Sequence, residues 1–368
     1  MRIGIGAILG VVGGPATYAR ELVRALTRVD STTQFVVFTD APDRLGVEAD
    51  NLECARATLG SPFLQPFWDQ ILVPKLVRRY AVDLYHGTKG ILPFFGSGPA
   101  VVTVHDLAVY EHPHTFSFLQ RLHLRSHTPY SVRRALRVIA DSQSGRDDLM
   151  ARFGLAAERV VVVPLAAGEQ FHPEPSAMDG AIALDLGLPN EFLLYAGTIQ
   201  PRKNVEMLVE AFAGLAEKSS VELLICGRLR PGYRPAFLTG PPPQVRYLGP
   251  VTDEQLAVLY RRALALCSPS SYEGFGLSLL EAMTSGCLVI AGRNSSVTEL
   301  VEGGGVLLPE LQVDSLRAAL RRVLQRDPSL DELRRRAFER ARHYRWDETA
   351  RQTLAVYRSA LEESRAGT

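Results

Sequence analysis

Two consecutive α/β domains, each built on a parallel sheet, are predicted by this sequence, and three observations carry the prediction. The chain has 368 residues, which is long for a single core when a domain averages roughly 150. Short β-branched or apolar runs alternate with helical patterns along most of it, as parallel sheets require. A Pro-rich, patternless segment, VPLAAGEQFHPEPSAMDG at residues 163–180, interrupts that alternation near the middle and reads as a linker.

Before the break, RIGIGAI, QFVVF, VDLYHG, AVVTVHD and RVIADS read as strands, and ATYARELVRALTRV as an amphipathic helix. The N-terminal apolar run leads straight into that helix with no small-residue cleavage site, so it reads as a first strand rather than a leader. After the break the strands are EFLLYAG, VELLICG, VRYLG, LALCSPS and CLVIAG, interleaved with helices such as NVEMLVEAFAGLAEK and DEQLAVLYRRA. From Val313 onward the chain is helical and Arg-rich, ending in WDETARQTLAVYRSALEES.

Composition narrows the function classes. Apolar residues make up 46% and charged ones 22%, enough apolar material for two buried sheets. A net charge of +1 removes the simplest argument for nucleic-acid binding. No stretch approaches the ~20 apolar residues of a membrane span, so a soluble chain is expected. Cys54, Cys226, Cys267 and Cys287 show no CxxC spacing and mostly sit in apolar runs, which suits buried reduced thiols better than metal ligands. His112, His114, His123 and His127 lack an HExxH pattern and read as solvated or core-edge residues. The same segment, with Phe116, Phe118, Leu119 and Leu122 beside Arg121 and Arg125, reads as an amphipathic helix. Its alternative is a docking face for an anionic membrane or a lipid-linked acceptor.

Three loops could hold an anion. Gly13 and Gly14 close the turn between the first strand and a helix starting near Pro15; missing Cβ atoms let a ligand reach the backbone, although a plain tight turn reads equally well. The spacing is not GxGxxG and no acidic residue ends the second strand, which disfavours a nicotinamide enzyme. In LLYAGTIQPRKNVEMLVEAF, a strand ends at Gly197 and Arg202 and Lys203 follow at its C-terminal edge. There a planar fork and a point charge suit a diphosphate, against two solvated cations as the bland alternative. In SSYEGFGLSLLEAM, Glu273 lies in a loop and Glu281 in the following helix, whose start offers the N–H groups of Phe275, Gly276 and Leu277. Taken singly, Glu281 would be a helix-surface acid and Glu273 a charge favouring the dipole.

That last pattern resembles the E-x7-E motif of retaining glycosyltransferases of the GT-B fold, family 4, and HDL at 105–107 together with EHP at 111–113 looks most like the family's mannosyltransferase-like members. GGPATYARELVRAL, VTVHDL, GTIQPRKNVEMLVEAFA, YLGPVTDEQLAVLYRRA, SYEGFGLSLLEAMTSGCLVIAG and WDETARQTLAVYRSAL resemble family segments in the family's order. The resemblance covers nearly the whole chain, apart from residues 40–80 and 110–130.

The resemblance implies an α/β GT-B fold: two Rossmann-like domains facing across a cleft, with a C-terminal crossover helix. Residues 1–170 would form the acceptor-side domain, with helix 346–368 packing back on it, and residues 171–345 the nucleotide-sugar domain. By motif position, Glu273 would contact the transferred sugar's hydroxyls, Lys203 and Arg202 would neutralise the leaving diphosphate, and His105 would lie beside the sugar. Gly13, Gly14, Asp106, Gly197, Phe275, Gly276, Leu277 and Glu281 would line the substrates, Glu281 on the ribose. Many family members place an arginine directly after the strand glycine; Thr198 stands there in this chain.

The implied activity is retaining, metal-independent hexosyl transfer by a front-face route, with no cofactor. The donor would be GDP-mannose, favoured by HDL and EHP, or a UDP-sugar; the acceptor a glycan, a lipid-linked or a small molecule; nucleic acid is not a partner. The expected location is cytoplasmic, with peripheral attachment at the inner membrane face left open. The alternatives are a nucleotide-sugar 2-epimerase-like enzyme on the same fold and a non-catalytic nucleotide-sugar-binding partner protein.

Overall fold

The computed structural model describes residues 1–9, 13–58, 68–96, 98–216, 220–240 and 242–366. Residues 10–12 of the Gly-rich loop, residues 217 and 218 of the helix expected from Asn204 and the last two positions of the expected C-terminal helix lie outside them. The chain divides into two compact units, Met1–Leu165 with Arg345–Thr368, and Ala166–Tyr344.

The first unit holds strands β1 (Arg2–Ala7), β2 (Gln34–Thr39), β3 (Leu52–Arg56), β4 (Leu84–Gly87), β5 (Ala100–Val104), β6 (Arg137–Ala140) and β7 (Val160–Val162). They pair in parallel in the order β3-β2-β1-β4-β5-β6-β7. Its helices are α1 (Gly14–Val29), α2 (Trp68–Arg79), α3 (Ala108–Glu111), α4 (Phe118–Arg134) and α5 (Gln143–Phe153). Central strands such as β5 are buried along their whole length, because helices cover both faces of a parallel sheet; this is why AVVTV reads as a continuous apolar run.

The second unit holds β8 (Phe192–Ala196), β9 (Glu222–Cys226), β10 (Val245–Gly249), β11 (Ala265–Ser268), β12 (Val289–Gly292) and β13 (Val306–Leu308), parallel in the order β10-β9-β8-β11-β12-β13. Its helices are α6 (Asp179–Asp185), α7 (Val205–Ala216), α8 (Asp253–Arg262), α9 (Leu277–Thr284), α10 (Ser295–Val301), α11 (Val313–Leu324) and α12 (Ser329–Ala341).

The long helix α13 (Trp346–Ala366) returns to the first unit and packs along α1. Arg28 Nε lies 2.9 Å from Asp347 Oδ1 at the rim. At the centre, the Tyr357 hydroxyl lies 2.7 Å from Nδ1 of the fully buried His86. Burial pushes the His86 ring down to about 3, so it is neutral and can satisfy its partners without an uncompensated charge. No helix among the described residues is long and apolar enough to cross a membrane.

Strand order reverses once in each sheet, with every strand still parallel: between β1 and β4 in the first unit, and between β8 and β11 in the second. At such a switch point the loops leaving the C-terminal strand ends diverge and open a crevice, the usual ligand position in open α/β sheets.

Candidate active site

In the second unit the switch point is built from the loops after β8 and β11. β8 leads into Gly197, whose backbone (φ 144°) sits so close to Gly227 that a Cβ on Gly227 would fall onto the Gly197 carbonyl. The chain then makes a single 3-10 turn, Pro201–Lys203, and enters α7 through Asn204 in the left-handed conformation. Two hydrogen bonds, one backbone and one from a side chain, fix this turn to the loop after β11: Ser271 N donates to the Arg202 carbonyl at 2.9 Å and Asn204 Nδ2 to the Pro269 carbonyl at 2.9 Å.

Those ties bring three predicted residues together. Lys203 Nζ is ion-paired with Glu273 Oε1, and Arg202 Nη1 lies 3.5 Å from Glu273 Oε2 while also donating to the Tyr272 carbonyl. All three side chains are only 11–14% exposed, so water screens them weakly. Burial alone would raise the Glu273 carboxyl, but Lys203 and then Arg202 outweigh it and hold it below the usual carboxylate range.

Sequence reasoning missed a third cation. Arg230, in the loop after β9, donates to Gln200 Oε1 at 2.7 Å, and its guanidinium is pulled down by burial and by the charge of Arg202. β9 neighbours β8 in the sheet, so strand order supplies the signal that the isolated RLR of the sequence does not.

Gly276 precedes α9 in the left-handed conformation (φ 96°) and its carbonyl accepts from Leu279 N at 2.9 Å. Phe275 is buried with its ring edge-on to Tyr344, ring centres 5.8 Å apart. Ser296 Oγ donates to the Glu273 carbonyl at 2.5 Å, so α10 braces the same loop. Leu277 opens α9, and Glu281 is buried on the helix's second turn, its Oε2 accepting from Tyr260 Oη at 3.3 Å.

In the first unit, Gly13 caps α1 (φ 154°) and accepts from Ala16 N at 2.9 Å, with Gly14 exposed as the first helical residue. Gly13, Lys89, His105, Asp106, Val109 and Phe116 are among the residues lining a cavity of about 330 Å³. Lys89 Nζ donates to the Ile8 carbonyl at 3.0 Å. Asp106 Oδ1 accepts from Ala108 N at 3.0 Å and so shapes the loop into α3.

His105 follows β5. Its Nδ1 lies 2.7 Å from Asp141 Oδ2 and its Nε2 3.0 Å from the Thr88 carbonyl, and the Tyr18 ring stands edge-on to it at 4.6 Å. Burial would lower this ring, yet the charge and hydrogen bond of Asp141, with Asp106, outweigh burial and raise it above an ordinary histidine. On α4, Phe118, Leu119 and Leu122 stay exposed rather than packing inward.

Residues 12–166 match the family model described as Glycosyltransferase Family 4, and residues 184–344 the model described as Glycosyl transferases group 1. O-antigen chain mannosyltransferase B of Escherichia coli is 28% identical over 296 residues, covering 77% of this chain and 76% of the relative. The MMP alpha-(1->4)-mannosyltransferase of Mycolicibacterium hassiacum is 32% identical over 231 residues, covering 60% of this chain and 53% of the relative, so the match spans about half of that protein. The crystal structure of Anabaena Alr3699/HepE in complex with UDP and glucose superposes with a TM-score of 0.76 at 20% identity, covering 98% of this chain and all of that one (100%). That likeness shows the GT-B fold.

Proposed function

The chain belongs to the family 4 glycosyltransferases, with a group 1 domain in its second half, and from that premise we propose that it moves a hexose from a nucleotide-diphosphate sugar to an acceptor hydroxyl with retention of configuration. The observation that carries this reading is the meeting of Lys203 and Arg202 on the single carboxylate of Glu273, with Arg230 within electrostatic reach. Such a cluster keeps an excess of positive charge in a weakly screened site, and an anion relieves it.

A diphosphate gains charge as its bond to the sugar breaks, so fixed cations stabilise the transition state more than the bound substrate. In this reading Lys203 and Arg202 take the role a metal ion has elsewhere, and transfer needs no metal. A carboxylate has two oxygens and about four acceptor sites, so Glu273 can orient both cations and still accept from sugar hydroxyls. The amides at Phe275, Gly276 and Leu277 hold sugar and phosphate at the start of α9, Gly197 keeps the strand end open, and Glu281 accepts from the ribose diol.

In the first unit, His105 and Asp106 with the Gly13–Gly14 turn border the acceptor hydroxyl. The exposed Phe118, Leu119 and Leu122 favour an acceptor with an apolar part. The new bond from the acceptor oxygen to the anomeric carbon forms on the face from which the diphosphate departs, and the acceptor proton passes to a departing phosphate oxygen. GDP-mannose is the favoured donor, supported by two relatives named as mannosyltransferases; a UDP-sugar is the alternative, supported by the UDP and glucose bound to Alr3699/HepE.

A thermal-shift screen of GDP-, UDP-, ADP- and dTDP-sugars, followed by transfer assays in a chelator, tests this reading. We expect GDP-mannose to raise the Tm most and the product to keep the donor's anomeric configuration with the chelator present. A product of inverted configuration, or a Tm that no donor moves, would contradict it.

A further inference from the structure

We propose that Asp141 holds the His105 ring as a fixed imidazolium, which makes Asp141 the positioning residue of the first unit's site and removes His105 as the base for the acceptor proton. The catalytic meaning of this inference rests on the placement of His105 in the transferase site; the charge state of the ring does not.

β5 and β6 are neighbours with Val104 opposite Ala140, so the next residues, His105 and Asp141, leave the same sheet edge side by side. The Thr88 carbonyl only accepts, so Nε2 must donate; a carboxylate oxygen only accepts, so Nδ1, 2.7 Å from Asp141 Oδ2, must donate too. A ring with one proton would turn a lone pair onto an acceptor at hydrogen-bond distance. The second oxygen of Asp141, Oδ1, is buried and meets no donor among the described residues, which leaves His105 as the partner that answers its charge.

The groups around the ring agree. Asp106, next in the chain, adds a second negative charge, and Tyr18 from α1 is kept neutral by burial. His86 from β4 is pushed down to about 3 and brings no competing cation. Lys89, on the same cavity wall, is the one cation besides His105 among the described lining residues. Both ring protons are therefore engaged with protein oxygens, and a ring already holding two protons cannot take a third from the acceptor. This leaves the acceptor proton to a phosphate oxygen of the departing diphosphate.

The ring is read directly by nitrogen–proton NMR of the full chain across neutral pH, with His105→Gln supplying the assignment. Wild-type His105 should carry protons on both nitrogens at neutral pH. Asp141→Asn should free one nitrogen, move the alkaline fall of kcat/KM by about one pH unit or more toward acid, and be partly rescued as Asp141→Glu. A wild-type ring with one bare nitrogen at neutral pH would overturn the proposal, and this spectrum decides even if Asp141→Asn does not fold. A ring titration that moves while the alkaline limb of transfer stays put would support the imidazolium and count instead against His105 as a transferase residue.

Discussion

In both units a positive group meets a carboxylate because the two leave adjacent strands: β8 and β11 in the second unit, β5 and β6 in the first. The charge of the two meetings differs. In the second unit Lys203 and Arg202 share Glu273 and Arg230 stands nearby, so positive charge is in excess. In the first, His105 answers Asp141 one to one beside a largely apolar cavity that Val109 and Phe116 help to line. An excess of fixed charge fits a ligand that arrives with charge of its own, and a balanced pair fits a neutral hydroxyl; one sheet architecture thus serves two chemistries.

The sharpest way to break this contrast is Glu273→Gln. Removing the shared carboxylate leaves two weakly screened cations, which should cut kcat by on the order of a thousandfold and destabilise the fold by about 3 kcal/mol. Steady-state transfer and thermal melting would read both, and in the wild type no sugar should be found attached to Glu273 by mass spectrometry. A variant with near-normal turnover would remove Glu273 from the site.

Gly276→Ala acts on the same loop through the backbone. The left-handed conformation strains any L side chain, and the new Cβ would lie 3.3 Å from Leu279 Cδ1 and 3.4 Å from Leu300 Cδ2. A stability cost of about 1–2 kcal/mol is expected, read as a lowered Tm, with weaker binding of sugar nucleotides measured by calorimetry. Unchanged donor affinity would mean that the start of α9 does not touch the donor.

Tyr357→Phe probes the balanced unit. It removes the hydroxyl facing His86 and should cost about 1–2 kcal/mol of stability, while calorimetric donor affinity stays unchanged. A loss of donor affinity instead would tie the first unit's core to the donor site and blur the contrast.

A pH slope gives a further test. His86 has a lower pKa folded, about 3, than the ordinary 6.5, so the unfolded chain binds more protons in that window. Stability should therefore fall as pH drops from about 6.5 toward 3. Parallel melts of wild type and His86→Gln should show a shallower slope in the variant. Identical slopes would assign the acid sensitivity to carboxylates.

The same contrast explains what could be read from the residues alone. Central strands such as β5 and β8 announce themselves because they are buried on both sides. The strands that passed unread, β3, β7 and β13, all lie at sheet edges. They are short or half-exposed, as in LECAR, where only Ala55 is buried, and so lack the continuous apolar run.

In the second unit, Arg202, Lys203, Glu273 and Gly276 stand in compact local patterns, and the structure brings the first three together. Asp141 and Arg230 could not be found that way. Each matters through a neighbour on an adjacent strand, a relation that lives in strand order rather than in sequence spacing. Residues 110–130 read poorly for a related reason. α4 leaves Phe118, Leu119 and Leu122 in the open, so the pattern has no core to report.

The central claim is that the second unit's excess charge is aimed at a diphosphate. Titrating guanosine, GMP and GDP calorimetrically into wild type and Lys203→Met tests it most directly. The account predicts that Lys203→Met weakens GDP by about tenfold or more, roughly 1.4 kcal/mol, and leaves guanosine unchanged. Equal GDP affinity in the two proteins would contradict it.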